Sequence, residues 1–208
     1  MADADRVDLG LPGVTVNPGD HICAFFFGVE ERDAVLLPFL RAGLRSGEKC
    51  MCIVDATEPS VVLEQLEADL PQTTNSHNSA AAQPVEVLHA TETYLRSGAF
   101  STRDMIAFIS DSIENASKAG YERTRLAGET TWLFQDPPGS EQFIEYESEL
   151  NRFVPEHDQV VLCLYDLARF GGGMMVDLMR THPRLLLGGM VIDNPHYLTP
   201  DEFRLART

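Results

Sequence analysis

The sequence predicts an α/β fold, a mostly parallel sheet with helices on both faces. Short apolar runs bounded by turn residues recur along the chain, which is the form of strands buried on both sides. Amphipathic helical segments alternate with them, and right-handed crossovers between parallel strands then put helices on each face. With 208 residues, 44% hydrophobic and 23% charged, the chain has the size and composition of one compact domain.

Each element follows from local pattern. Residues 1–18 mix Gly, Pro and Asp without a sustained period and read as a flexible tail running into the turn Asn17-Pro18-Gly19-Asp20, so the folded domain is expected over 19–208. His21 to Phe27 is apolar and aromatic, the first strand. Over 30–46 the residues Val35, Leu36, Phe39, Leu40 and Leu44 share a helical face, with Pro38 bending the helix or marking its first turn. Lys49 to Asp55 is a second buried strand; Thr57 and Pro59 open a helix carrying Val62, Leu63, Leu66 and Leu70. Residues 71–84 are polar and rich in small side chains, too poor in apolar surface to order themselves, and are expected to form a mobile insertion. A third strand is expected over 85–90. Ser101 and Asp104 form a capping box ahead of a helix with Met105, Ile109, Ile113 and Ala116 inward, which Gly120 terminates. The fourth strand is read over 125–134, a helix with Phe143, Tyr146, Glu147 and Leu150 over 140–154, and the fifth strand over 160–166. A helix over 174–180, a sixth strand over 185–192 and a short helix capped by Thr199 and Glu202 complete the chain.

Charge narrows the function. Sixteen Lys and Arg against 32 Asp and Glu give a formal charge of -16, and such a field repels phosphate backbones and anionic lipid, so neither nucleic acid nor membrane is expected as a direct partner. No apolar run approaches the ~20 residues needed to span a bilayer. The N-terminus carries acids where a signal peptide has a basic patch, and a cytoplasmic protein is expected. Cys23, Cys50, Cys52 and Cys163 all lie in apolar segments, which suits buried free thiols in a reducing compartment.

The common occupant of such a sheet is a nucleotide, yet the phosphate-binding loop is missing. The first strand is followed by Gly28-Val-Glu-Glu-Arg-Asp33, whose acids repel a triphosphate, and Gly171 to Gly173 read as a flexible turn. His21-x-Cys23 and Cys50-x-Cys52 each put two soft ligands on one strand face, so neighbouring strands would be able to gather them around zinc. Structural zinc normally uses the C-x2-C knuckle and thiols in apolar strands usually pack inertly, so neither a metal nor a cofactor is expected. No Gly-x-Ser-x-Gly elbow exists, and Cys163 sits mid-strand, away from any thiolate-stabilising helix N-terminus.

What remains is a set of polar and aromatic residues at the carboxyl ends of the expected strands, where ligands bind in open α/β sheets. Phe27 and Glu30 follow the first strand, Asp55 and Thr57 the second, Thr91 and Tyr94 the third. Glu129 and Trp132 lie on the fourth; Tyr165, Asp166 and Arg169 follow the fifth; Asn194 and Tyr197 follow the sixth. They are expected to converge on a ligand pocket, with Glu129 and Trp132 as one wall and Tyr165 and Asp166 as another. Glu129 stands among residues that should be buried and needs a partner or a proton. Glu147 is in the same position, and Arg123, Arg125 or a backbone amide is its expected partner.

The runs Gly19-Asp-His-Ile-Cys, Phe39-Leu-Arg-Ala-Gly-Leu-Arg-Ser-Gly-Glu-Lys-Cys, Thr93-Tyr, Gly98-Ala-Phe, Arg125-Leu-Ala-Gly-Glu-Thr-Thr-Trp, Tyr146-Glu-x-x-Leu-Asn151, Leu162-Cys-Leu-Tyr-Asp166, His182-Pro183 and Asn194-Pro-His-Tyr197 together resemble the MEDS sensory domain (methanogen/methylotroph, DcmR-type). The resemblance implies a degenerate RecA/KaiC-like fold without the nucleotide-binding loop and a sensory role in prokaryotic signalling. The ligand it implies is a small organic molecule of hydrocarbon origin. Family members commonly stand beside a DNA-binding or kinase-type module, which is not expected within these 208 residues. Its expected partner is therefore a separate regulatory protein of the kinase, anti-sigma or transcription-factor type, or a second copy of itself. The expected function is non-enzymatic sensing; the competing readings are a divergent ATPase or hydrolase using Glu129 or Asp166 as general base, and a ligand-free interaction module.

Overall fold

The computed structural model describes residues 6–67 and 83–207. Leu70 and most of the expected insertion over 71–84 lie outside the described residues. Within them, six parallel strands and one antiparallel edge strand form a sheet in the order β5-β4-β6-β7-β3-β8-β9. The strands are β3 (His21–Phe26), β4 (Lys49–Val54), β5 (Val85–His89), β6 (Thr124–Glu129), β7 (Val160–Asp166), β8 (Arg184–Leu187) and β9 (Met190–Asp193). Helices α1 (Gly28–Arg45), α2 (Pro59–Leu66), α3 (Thr102–Lys118), α4 (Phe143–Glu156), α5 (Gly172–Thr181) and α6 (Pro200–Ala206) complete the frame.

Period-2 alternation along each strand builds two separate cores. Ile22, Ala24, Cys50, Cys52, Ala127, Leu162 and Leu164 pack with Leu36, Phe39 and Leu40 of α1 and with Val62 and Leu66 of α2. Their strand neighbours Cys23, Met51, Ile53, Leu126, Val161, Cys163 and Tyr165 pack on the other face with residues of α3, α4, α5 and α6. The inward face of α3 consists of Met105, Ile109, Ile113 and Ala116, as its spacing predicts, and the Ser101 side chain accepts from the Asp104 amide at 3.3 Å to cap it. Pro38 lies inside α1, which already begins at Gly28.

Several expectations are corrected. Residues 6–18 include a small hairpin, β1 (Val7–Asp8) with β2 (Thr15–Val16), whose Val7, Leu9 and Val16 join the first core. Apolar residues spaced by turns were enough to dock there although no long period announces them. Val16→Ala is expected to cost about 2 kcal/mol, at ~0.8 kcal/mol per buried methylene plus the cavity, whereas a free tail would lose nothing. Urea titration distinguishes the two.

The sixth expected strand is two strands. Gly188 and Gly189, at φ of 55° and 79°, form the two-residue turn that folds β9 back antiparallel on β8. The fourth strand stops at Glu129, and Trp132 lies on a 3-10 turn over Thr131–Gln135. Gly172 and Gly173 belong to the start of α5, where a flexible turn was expected.

Candidate functional site

At the carboxyl end of β6, Glu129 is fully buried on the first-core side. Its Oε2 accepts from Arg32 Nη1 at 3.0 Å and from the amides of Asp55 and Ala56 at 3.1 and 3.4 Å; Thr131 Oγ1 lies 3.3 Å from its Oε1. The Thr131 hydroxyl also reaches Asp55 Oδ2 at 2.9 Å. Arg32, itself fully buried, donates to Thr57 Oγ1 at 3.0 Å and to Asp33 Oδ1 through Nε and Nη2 at 3.0 and 2.7 Å. The guanidinium comes from the first turns of α1, beside the exposed Glu30. Sequence reasoning found Glu129, Asp55 and Thr57 but missed Arg32, because an arginine between two acids reads as a solvated turn.

Each expected pocket wall is split between the two faces of the sheet, with Glu129 and Asp166 sharing the parity of Ala127 and Leu164 and with Trp132 and Tyr165 on the other side. Glu129 has the parity of Ala127 and points toward α1, whereas Tyr165 has the parity of Cys163 and points into the second core; Trp132 lies in that core too. Trp132 stacks on Tyr94 with centroids 5.0 Å apart and contacts Phe100 and Phe143. Asp166 accepts from the Ala168 amide at 3.0 Å and lies 3.8 Å from Arg169. Asn194 is a tie, donating to the carbonyls of Met179 and His182 and accepting from the His196 amide. Phe27, Glu30, Thr91 and Arg169 are exposed and Tyr197 is half-buried. On the same edge, Phe134 and Phe170 contact each other at 4.6 Å, with the Arg169 guanidinium over the Phe134 ring at 5.5 Å. A cavity of about 490 Å³ opens at the opposite end of the sheet, lined by Arg6, Asp8, Glu48, Glu122 and Arg123 among others.

A second centre, not anticipated as a unit, lies deep in the second core. His21 at the start of β3, Cys163 in β7, Glu147 in α4 and His182 after α5 bring one ligand-capable atom each to within 4.8 Å of one another, all buried. His21 Nε2 lies 3.2 Å from Glu147 Oε2 and 3.2 Å from Cys163 Sγ. His182 Nε2 lies 3.3 Å from the same carboxylate oxygen and 3.5 Å from the Tyr165 hydroxyl. This corrects the expected partners of Glu147: Arg123 and Arg125 are engaged with Glu48, at 3.1 and 2.5 Å. It also corrects the cysteine pairing considered around His21. Cys50 and Cys52 lie in the first core on β4, with β6 and β7 between them and β3, whereas Cys23 and His21 serve the other face. The four cysteines are free and buried.

Burial raises the Glu147 carboxyl, but hydrogen bonds from His182 and His21 outweigh it and hold the carboxyl at about 2. Burial, with the neighbouring His182, pushes His21 down toward the neutral imidazole. Burial and the Glu147 charge hold Cys163 as a thiol. An ionised carboxylate thus meets an imidazole that resists protonation. The signal in the sequence was spread over residues 21, 147, 163 and 182; only the sheet order joins β3 to β7 and β8 and so collects it.

The chain matches the family described as the MEthanogen/methylotroph, DcmR Sensory domain over residues 20–183. It is 24% identical over 175 residues to the transcriptional repressor DcmR of Methylorubrum extorquens, an alignment covering 83% of this chain and 61% of the repressor. In fold it is similar to a KaiC-like protein from Pyrococcus horikoshii OT3 (TM-score 0.56, 10% identity, 86% of this chain and 78% of the other). It is also similar to the flagellar accessory protein FlaH of Methanocaldococcus jannaschii (TM-score 0.51, 8% identity, 90% and 84%). With a KaiC-like parallel sheet and this match across most of its length, the chain belongs to the MEDS family of sensory domains.

Proposed function

We propose that this domain is a non-enzymatic regulator that reads a small organic ligand at the carboxyl edge of its sheet and passes the result to a regulatory partner. The observation that carries this reading is the Arg32–Glu129 pair. In the crevice where related sheets receive ligands, α1 buries a guanidinium against a carboxylate whose two oxygens are already engaged by Arg32, two amides and Thr131. A general base needs a free lone pair within reach of substrate, and Glu129 offers none at the surface. The acids Glu30 and Glu31 in the first turn of α1 oppose a polyphosphate. What the edge does present is apolar: Phe27 is 57% exposed and Phe134 36%, the latter packed on Phe170 and covered by Arg169. Such a patch suits a compact molecule with an apolar body and one anionic or polar group. The sensory description of the family and the repressor function of the relative point the same way, and the carrying of the signal by a loop or helix shift follows from differential binding to two states.

Thermal-shift and calorimetric titration with short halogenated and oxygenated hydrocarbons tests the reading. A ligand from this class should raise the melting temperature of the wild-type chain, and Phe134→Ala or Phe170→Ala should abolish the response while circular dichroism stays unchanged. Micromolar ATP affinity, or turnover of a nucleotide, would overturn it in favour of an enzyme.

A further inference from the structure

The protons of the buried centre can be placed from its surroundings. The Asn151 amide nitrogen donates to the carbonyls of Glu147, Ser148 and Thr181 at 3.1, 3.2 and 2.6 Å, which turns its oxygen toward His21 Nδ1 at 3.1 Å. That oxygen only accepts, so His21 carries its proton on Nδ1. His182 Nδ1 lies 2.7 Å from the Leu178 carbonyl, also an acceptor, which assigns its proton likewise. With one proton on each ring, both Nε2 lone pairs therefore point inward, at a carboxylate oxygen and a thiol, and they donate to Glu147 only when a second proton makes the ring an imidazolium. Three strong acceptors converge around the weak S–H of Cys163 and a long contact from the Tyr165 hydroxyl, 3.5 Å from His182 Nε2, and Glu147 Oε1 is buried with no hydrogen-bond partner among the described residues. A cation would satisfy all of them at once.

We propose that His21 Nε2, His182 Nε2, Glu147 and Cys163 Sγ bind one divalent d-block cation of the zinc(II) class in a closed tetrahedral site. The spacing suits it. Metal–ligand bonds of ~2.0–2.3 Å in a tetrahedron put the donors ~3.3 Å apart for N and O and ~3.5 Å for pairs with sulfur. Four of the six separations are 3.2 Å and 3.3 Å from the two Nε2 atoms to Glu147 Oε2, 3.2 Å from His21 Nε2 to Cys163 Sγ and 3.5 Å from Sγ to Oε2, and the remaining two, from His182 Nε2 to His21 Nε2 and to Sγ, lie within 4.8 Å. The charge suits it too. On binding, Cys163 loses its thiol proton to solvent, and a 2+ ion with one carboxylate and one thiolate is neutral, as a site with no exposed member requires. Both imidazoles have the Nδ1–H···O support that orients histidine ligands. Two nitrogens with one sulfur and one oxygen favour a borderline cation over magnesium or calcium. Four protein donors leave no open position, so the ion would join β3, β7, α4 and the end of α5 and do no chemistry of its own.

The test uses the full chain, stripped of metal and refolded with one equivalent of zinc(II) or cobalt(II). One ion should be retained per chain by elemental analysis, and cobalt should give tetrahedral d–d absorption with a thiolate-to-cobalt band in the near ultraviolet. Cys163→Ser should lose that band, Cys52→Ser on the opposite sheet face should keep it, and Asn151→Ala should weaken metal affinity about 10- to 100-fold. If Cys163→Ser does not fold, His182→Gln, read as a shifted d–d spectrum and reduced affinity against a chromophoric chelator, serves in its place. A folded wild-type chain that takes up neither ion, or a near-ultraviolet band that persists in Cys163→Ser, overturns the proposal.

Discussion

Glu129→Ala should lower the free energy of unfolding by about 3–5 kcal/mol, because it takes from the buried guanidinium of Arg32 its one fully buried carboxylate partner. Arg32 keeps Asp33 and Thr57, but the amides of Asp55 and Ala56 also lose their acceptor. Out of a total of roughly 5–15 kcal/mol, that loss brings the domain close to its unfolding threshold at room temperature. Glu129→Gln keeps the shape and removes the charge, so it too should register first as lost stability. The double change Arg32→Met with Glu129→Leu replaces both charges by apolar groups and should recover part of the loss. Urea denaturation of the two single variants and the double variant gives the coupling; a loss below ~1 kcal/mol for Glu129→Ala would mean that the pair is solvated and the crevice open.

Trp132→Ala should cost a similar ~3–5 kcal/mol by emptying the centre of the aromatic cluster. The informative contrast is Trp132→Phe. The indole Nε1 is buried without a hydrogen-bond partner among the described residues, so phenylalanine removes an unsatisfied donor together with some packing and should cost much less than alanine. Chemical denaturation read by far-ultraviolet dichroism is the measurement, since this is the single tryptophan of the chain and its fluorescence goes with it. Equal losses for Phe and Ala would show that the nitrogen has a partner after all.

The fold was legible because its signals are local. The inward face of α3 can be read from four positions, and the run from Val160 to Asp166 is apolar enough to require burial on both sides. The hairpin at residues 188 and 189 is marked by two adjacent glycines, but the apolar residues on either side of them form one continuous pattern that reads as a single strand. The candidate site was legible only in part. Glu129 and Asp55 were found because a strand end is a local feature, and they do meet. Which face each side chain takes was not found, since a residue at the end of one strand has to be compared in parity with one on another. The histidine centre is harder still. The spacing of His21 and Cys23 makes them a pair in the sequence, but the cysteine that His21 meets is Cys163, 142 residues away, and no local spacing encodes that contact.

The position of β3 in the sheet also sets an order of events during synthesis. It is the first of the sheet strands to leave the ribosome, yet both its neighbours, β7 and β8, are encoded near the other end of the chain. At the usual rate of ~5–20 residues per second, the nascent strand waits on the order of 10 s with both edges unpaired. The early product is then an apolar ribbon, His21-Ile-Cys-Ala-Phe-Phe, without a template to dock on. Such segments are aggregation-prone and call for chaperone cover, and domains dominated by distant pairings fold slowly. Chains truncated before β7 should collect as insoluble material, while those ending after β8 should be recovered in soluble form.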